Sequence, residues 1–122
     1  MTILLPIIKT FSDSIFSGSK RYEYRKGIPQ KGVERVIVYE SRGAGMIVGE
    51  FDVAGILEGS PEEIWNLTKE ASGTSKNHFL SYFRNRDKAY ALKIGDYRRY
   101  DIPKPLSDYK ISRPPQNFIY LE

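Results

Sequence analysis

The sequence predicts an α+β domain: a small, mixed and strongly bent sheet or barrel of roughly five to seven short strands, with helices laid against it. Three observations carry that expectation. Short apolar runs bounded by Gly, Pro and charged residues recur along the 122 residues. A well-signalled helix start stands between two strand-rich stretches. Gly49 and Gly55 fall inside a strand pattern, where glycine permits the bends that a small barrel needs. A chain of this length fits one domain spanning residues 1–122, large enough to bury about two thirds of its unfolded surface.

The first unit reads as strand, short helix, strand. Thr2 to Ile8 is apolar, and Pro6 limits ladder bonding, which suggests a strand that is short or at an edge. Thr10 or Ser12 can cap a helix that puts Phe11, Ile15 and Phe16 on one face, and Gly18 suits the position just past its end. Residues 20–26 then alternate in type. A period of two sends Tyr22 and Tyr24 to a core and Arg21, Glu23 and Arg25 to the opposite face.

Gly27 to Gly32 reads as a turn around Pro29 before the apolar strand Val33 to Tyr39, whose unbroken Val36-Ile37-Val38 predicts cover on both faces. Glu40 to Gly45 is expected as a flexible loop. Met46 to Leu57 resumes as a strand with Ile47, Phe51 and Val53 on one face and Val48, Glu50 and Asp52 on the other. Ser60-Pro61-Glu62-Glu63 combines a serine cap, a proline in the first turn and a glutamate three residues on, which is a capping box. Ile64, Trp65 and Leu67 follow as core contacts, and Gly73 ends this helix. A second helix is expected from Ser75 to Phe83 with Phe79, Leu80 and Phe83 inward. Lys88 to Ile94 reads as a strand that Asp96 to Tyr100 continues after a bend at Gly95. Four prolines make Ile102 to Gln116 mostly irregular, and Asn117 to Leu121 is a last strand.

Composition narrows the function classes. Nineteen basic against fifteen acidic residues give a net charge of +4, a bias that suits a polyanionic partner without naming one. There is no cysteine and one histidine, so a disulfide framework, a thiolate metal site and a His-rich zinc site are excluded. Glu50 and Asp52 share a strand face but lack the further oxygen ligands a metal wants. No phosphate-binding glycine loop or nucleophile elbow is present, and no cofactor is expected. Lys9 cuts the first apolar patch short and no stretch approaches about 18 apolar residues, so neither a signal peptide nor a membrane span is expected and a cytoplasmic setting is.

The chemistry concentrates in Ser17 to Lys26. Glu23 lies two residues from both Arg21 and Arg25, with Lys20 just before, so a compact site would hold both donors and an acceptor. Guanidinium forks suit phosphate or carboxylate, and a lysine serves as a point charge or, with its pKa lowered, as a base. The plain alternative is a solvated strand face of weakly paired charges. Glu23 and Arg25 are expected to pair, leaving Lys20 as the free cation. Arg113-Pro114-Pro115-Gln116 adds a rigid extended segment flanked by two donors. His78 reads as structural or exposed, Trp65 as a core residue, and the Arg84, Arg86, Lys88 run and the Arg98, Arg99 pair as solvated surface.

Gly18, Lys20, Glu23 and Arg25 together resemble the Gly-x-Lys-x-x-Glu-x-Arg signature of the ASCH domain, a branch of the PUA-like superfamily. Val36 to Ser41, Ile47 to Phe51, Ala89 to Leu92 and Arg113 to Phe118 are similar to later segments of that family. The resemblance implies a PUA-like barrel with a cleft beside the signature strand and an association with RNA. It makes Lys20, Arg21, Glu23, Arg25, Tyr39, Ser41, Arg113 and Gln116 the expected cleft residues for RNA or a nucleotide. Single-stranded RNA is favoured, because a concave site receives an unstacked base. Some members are ribonucleases or amidohydrolases acting on acetylated cytidine, in which case Lys20 and Glu23 would be catalytic. The amidohydrolases, however, carry threonine where this chain has Glu23 and a glutamate in the segment that reads Thr74 to His78 here. A small-molecule or protein-interaction module remains the third class. Oligomeric state is left open.

Overall fold

The computed structural model describes residues 1–29 and 32–121. Its elements are β1 (Thr2–Ile8), α1 (Lys9–Ser17), β2 (Tyr22–Arg25), β3 (Arg35–Ser41), β4 (Ile47–Gly59), α2 (Pro61–Thr68), α3 (Lys76–Tyr82), β5 (Ala89–Lys104) and β6 (Ile119–Leu121), with 3₁₀ turns at Lys69–Ala71 and Leu106–Tyr109. The strands form one mixed sheet in the order β2-β5-β4-β3-β1-β6. Only β1 and β3 run parallel; the other neighbours are antiparallel. The sheet is not closed, since β2 and β6 are its two edges.

Strand positions follow from burial. In β3, Val36 through Glu40 are all buried, as expected for a strand covered on both faces. Ile3, Leu5 and Ile7 of β1 join Val36, Val38, Phe51, Leu92 and Ile94 in one core cluster, while Leu4 joins Ile37, Tyr39, Ile47 and Tyr100 in another. The long strands bend where the glycines predicted it. The β4–β5 register shifts between Ile47 and Gly49 and again between Val53 and Gly55.

Helix termini obey local chemistry at three of the expected places. Gly18 ends α1 at φ +88, Ser60 and Glu63 complete the capping box of α2, and the Ser75 hydroxyl accepts from the His78 amide at the start of α3. The start of α1 differs from expectation: Ile8 takes the cap position without a side-chain bond, and Ser12 lies inside the helix. The Ser12 hydroxyl instead donates to the buried Glu40 carboxylate at 2.9 Å. α2 and α3 are seated through Ile64, Trp65, Phe79 and Phe83 on Tyr24, Ala89 and Ala91. Leu80 does not join them and is 41% exposed, because Phe79 and Phe83 are one helical turn apart and Leu80 is rotated off that line. Leu67 is likewise exposed rather than in the core.

Three further expectations change. β5 runs unbroken through Gly95 and Pro103 to Lys104, so the irregular stretch is shorter than expected. β1 is a full seven-residue strand with β3 on one side, and β6 covers only Thr2, Ile3 and Leu4 on the other. Pro6 therefore falls on the uncovered part of an edge, where a missing N–H costs nothing. Gln30 and Lys31 of the predicted Gly27 to Gly32 turn lie outside the described residues. Among the described residues no helix is long and apolar enough to cross a membrane.

Candidate functional site at the seam of the sheet

One edge of the open sheet, β2, comes up to the part of β1 that β6 leaves uncovered. The Arg25 guanidinium on β2 donates to the Pro6 carbonyl on the uncovered part of β1 at 2.8 Å. The expected closed barrel is therefore an open sheet, with a seam between β2 and β1 that this side-chain bond bridges and backbone pairing does not close. Along that seam runs a cavity of about 500 Å3. Pro6, Ile7 and Ile8 form one wall and Glu23, Tyr24 and Arg25 the other. Phe11 of α1, Phe79 and Tyr82 of α3, and Ser41, Arg42, Pro115 and Gln116 complete the lining, with Lys20, Thr74 and His78 among them.

Lys20 is fixed in place. It is 2% exposed, and its Nζ donates to the Ser72 carbonyl at 2.7 Å. The Phe11 and Tyr24 rings lie 4.8 Å away each, centroid to nitrogen. Gly73 packs its backbone on the lysine stem: a Cβ there would come within 2.6 Å of Lys20 Cβ. Gly73 also has φ +70, which glycine adopts without strain. The 71–74 segment is tied down as well, by the Arg21 amide to the Ala71 carbonyl at 2.8 Å and by the Ser72 hydroxyl to the Thr74 carbonyl at 2.9 Å. Burial pushes the Lys20 ammonium below its ordinary range, Glu23 opposes that shift, and Arg25 adds to it.

Glu23 and Arg25 pair at 3.0 Å, with side chains only 8% and 16% exposed. The two flank Tyr24 on an edge strand, so period two places them together on one face. One terminal nitrogen of Arg25 serves both Glu23 and the Pro6 carbonyl, and its Nε is buried without a hydrogen-bond partner. Such a donor costs about 1–3 kcal/mol if left unmet. Tyr24 bonds the Thr68 hydroxyl at 2.7 Å, and burial raises its phenol to about 12. Burial raises the Tyr82 phenol too. The lining therefore offers buried donors, one carboxylate and aromatic surface. Among the described residues no group of three or more His, Asp and Glu is placed to hold a metal.

Of the eight residues singled out from sequence, Lys20, Glu23, Arg25, Ser41 and Gln116 line the cavity. Arg21, Tyr39 and Arg113 do not. Arg21 turns away, donating to the Ile94 carbonyl at 2.9 Å. Tyr39 is buried against Leu4, Ile37, Ile47 and Tyr100. Arg113 is exposed beyond the lining. Lys20 is not the free cation expected, because its stem and ammonium are both engaged. Sequence reasoning missed Tyr24, Tyr82, Phe11 and Thr74 as lining residues, and set His78 aside. Phe11 and His78 touch edge to face at 5.5 Å, so the helical faces that carry them meet over the cavity. The spacing of Phe11 on α1 and of His78 and Tyr82 on α3 is a readable signal, but it does not say that these helices face each other.

The family model and the solved structures point to one family, while the curated relatives carry other names. The ASCH domain family model matches residues 5–98. The chain is 30% identical over 122 residues to ATP synthase subunit alpha of Ureaplasma parvum serovar 3, covering 99% of this chain and 15% of that protein. It is 34% identical over 103 residues to large ribosomal subunit protein uL22 of the same organism, covering 84% of this chain and 33% of that protein. The chain thus spans a third or less of the curated relatives it matches. Among solved structures, the ASCH protein of Zymomonas mobilis superposes with a TM-score of 0.90 at 24% identity, covering 99% of this chain and 87% of that one. A variant of that protein gives 0.90 at 23% identity, covering 99% and 90%. At such identity the likeness establishes the fold.

Proposed function

The chain belongs to the ASCH domain family, and from that premise we propose that it is an RNA-binding domain whose seam cavity takes one unstacked nucleotide of a single strand. The observation that carries this reading is the lining itself: Lys20, Glu23 and Arg25 brought together at a cavity of about 500 Å3 with Phe11, Tyr24 and Tyr82 in its walls. A cavity of that volume suits a nucleotide-sized group and is closed to a duplex. Lys20 and Arg25 donate to the ligand, Glu23 orients Arg25, and the aromatic walls offer faces to the base. Arg42 at the rim and Lys26, stacked 4.7 Å over Tyr82, are exposed cations for the flanking phosphates. A cytoplasmic setting is part of the same proposal. The names of the curated relatives belong to two different assemblies, so the reading rests on the cavity and the family instead.

One observation supports a second reading, a hydrolase acting on RNA or a modified nucleoside. Lys20 is a buried amine with a lowered pKa, the state a general base needs, and Glu23 stands by as a proton carrier. Filter binding of a single-stranded oligoribonucleotide between low and physiological salt tests the first reading. Affinity should fall steeply, because counterion release from a few cationic contacts supplies much of it. A flat response, or no binding, overturns it. Product formation that disappears in Lys20→Ala would favour the second.

A further inference from the structure

We infer that Lys20 is a carbonyl-reactive amine, and that the seam cavity accepts an aldehyde and holds it as an imine on Lys20 Nζ. The inference shares the cavity with the RNA reading but does not depend on it. Its basis is geometric. The stem of Lys20 is clamped by the Gly73 backbone, so the amine is delivered to one place on the cavity wall rather than sampled by a mobile side chain. Among the described residues no carboxylate lies within ion-pair distance of Nζ; its bond goes to the neutral Ser72 carbonyl. Phe11 and Tyr24 exclude water from it on two sides. A lysine desolvated in an apolar pocket, with a second cation nearby, is the environment that makes an amine nucleophilic near neutral pH, and Arg25 supplies that cation. The ring contacts favour the ammonium by about 0.5–2 kcal/mol, while burial and Arg25 shift Lys20 in the direction of the free amine.

The step balances without an oxidant or reductant. The Nζ lone pair forms a bond to the carbonyl carbon while the carbonyl π pair moves to oxygen. Nitrogen gives up one proton and oxygen takes one, leaving a carbinolamine. The hydroxyl takes a second proton and leaves as water as the nitrogen lone pair closes the C=N bond. Glu23, which lines the same cavity, is the carboxylate assigned to carry these protons once the aldehyde is bound. The aldehyde has two sources with the same chemistry: a free small aldose, or the open-chain C1′ of a baseless ribose within an RNA strand.

The test is reductive trapping on the full chain. Glyceraldehyde in one arm, and a single-stranded oligoribonucleotide with one baseless ribose in the other, are incubated with cyanoborohydride and the adducts mapped by peptide mass. A reduced adduct on Lys20 in either arm, forming about tenfold faster than on the exposed Lys69 and Lys93, supports the inference, and the reactive arm names the source; tenfold corresponds to one pK unit in free amine. Labelling spread over Lys69 and Lys93 with Lys20 unmodified in both arms overturns it. Lys20→Arg should lose the adduct; if that variant fails to fold, the wild-type map alone decides. Binding of intact RNA carries no aldehyde, so failure of the RNA reading is measured separately.

Discussion

Two clusters of charge on the same sheet are handled in opposite ways. On the outer stretch of β4 and β5, Arg35 meets Asp52 at 3.2 Å and Glu50 at 3.5 Å, Arg98 meets Glu50 at 3.5 Å, and Arg99 meets Asp13 at 2.9 Å. Every cation there has a carboxylate and from about half to 70% of its side-chain surface in water. At the seam, Glu23 and Arg25 are almost withdrawn from water, and among the described residues Arg25 Nε has no partner and buried Lys20 has no carboxylate in contact. Withdrawing an ion costs several kcal/mol that a single ion pair does not fully return. The outer cluster is arranged for solubility, and the seam cluster is arranged against stability. Groups held in that state are available to something that enters the cavity.

The contrast can be broken by mutation, and the largest effect belongs to Glu23→Ala. It leaves the Arg25 guanidinium buried and unpaired, so urea unfolding should show a loss of about 3 kcal/mol or more; a loss under about 1 kcal/mol would mean that water already reaches the pair. Gly73→Ala comes next, at about 1–2 kcal/mol, because φ is +70 and the new Cβ would meet the Lys20 stem. Its ligand affinity should fall as well, since Lys20 must move.

A smaller and opposite effect is expected for Lys20→Met, which keeps volume and removes a poorly compensated charge. Its unfolding midpoint at neutral pH should equal or exceed that of the wild type. Lys20 titrates below 10.5 in the folded protein, so the unfolded chain binds more protons as pH rises toward that value. Its contribution to stability must then increase with pH in that window, and Lys20→Met should lack the rise. Tyr24, raised to about 12, acts the other way above about pH 10, so the difference between wild type and variant below that pH is the quantity to read. Smallest of all, Arg98→Gln with Arg99→Gln should leave the unfolding midpoint unchanged at physiological salt, because exposed pairs are screened.

Local signals carried the sequence reading far. The capping box at Ser60, the left-handed Gly18 and the bends near Gly49 and Gly55 are decided within a few residues, and each appears in the structure. The Glu23–Arg25 pair follows from period two. What the sequence did not carry is the meeting of distant strands. Nothing near Pro6 says that Arg25 will cross to its carbonyl, nor does anything near Lys20 announce that Gly73 will close over it. Arg21 reads like Arg25 in sequence but lies one residue before β2 and reaches back to Ile94. Tyr39, an expected cleft residue by the family resemblance, is outside the cavity because β3 is central and both its faces are filled.

The seam, not the outer strands, is the proposed ligand site. Fluorescence anisotropy of a labelled single-stranded oligoribonucleotide, run in parallel on Lys20→Met and on Arg98→Gln with Arg99→Gln, tests that most directly. Lys20→Met should weaken binding about tenfold or more, equivalent to about 1.4 kcal/mol, with its unfolding midpoint intact, while the outer pair changes affinity by less than about threefold. Full affinity in Lys20→Met, with binding lost in the outer variant, would contradict it.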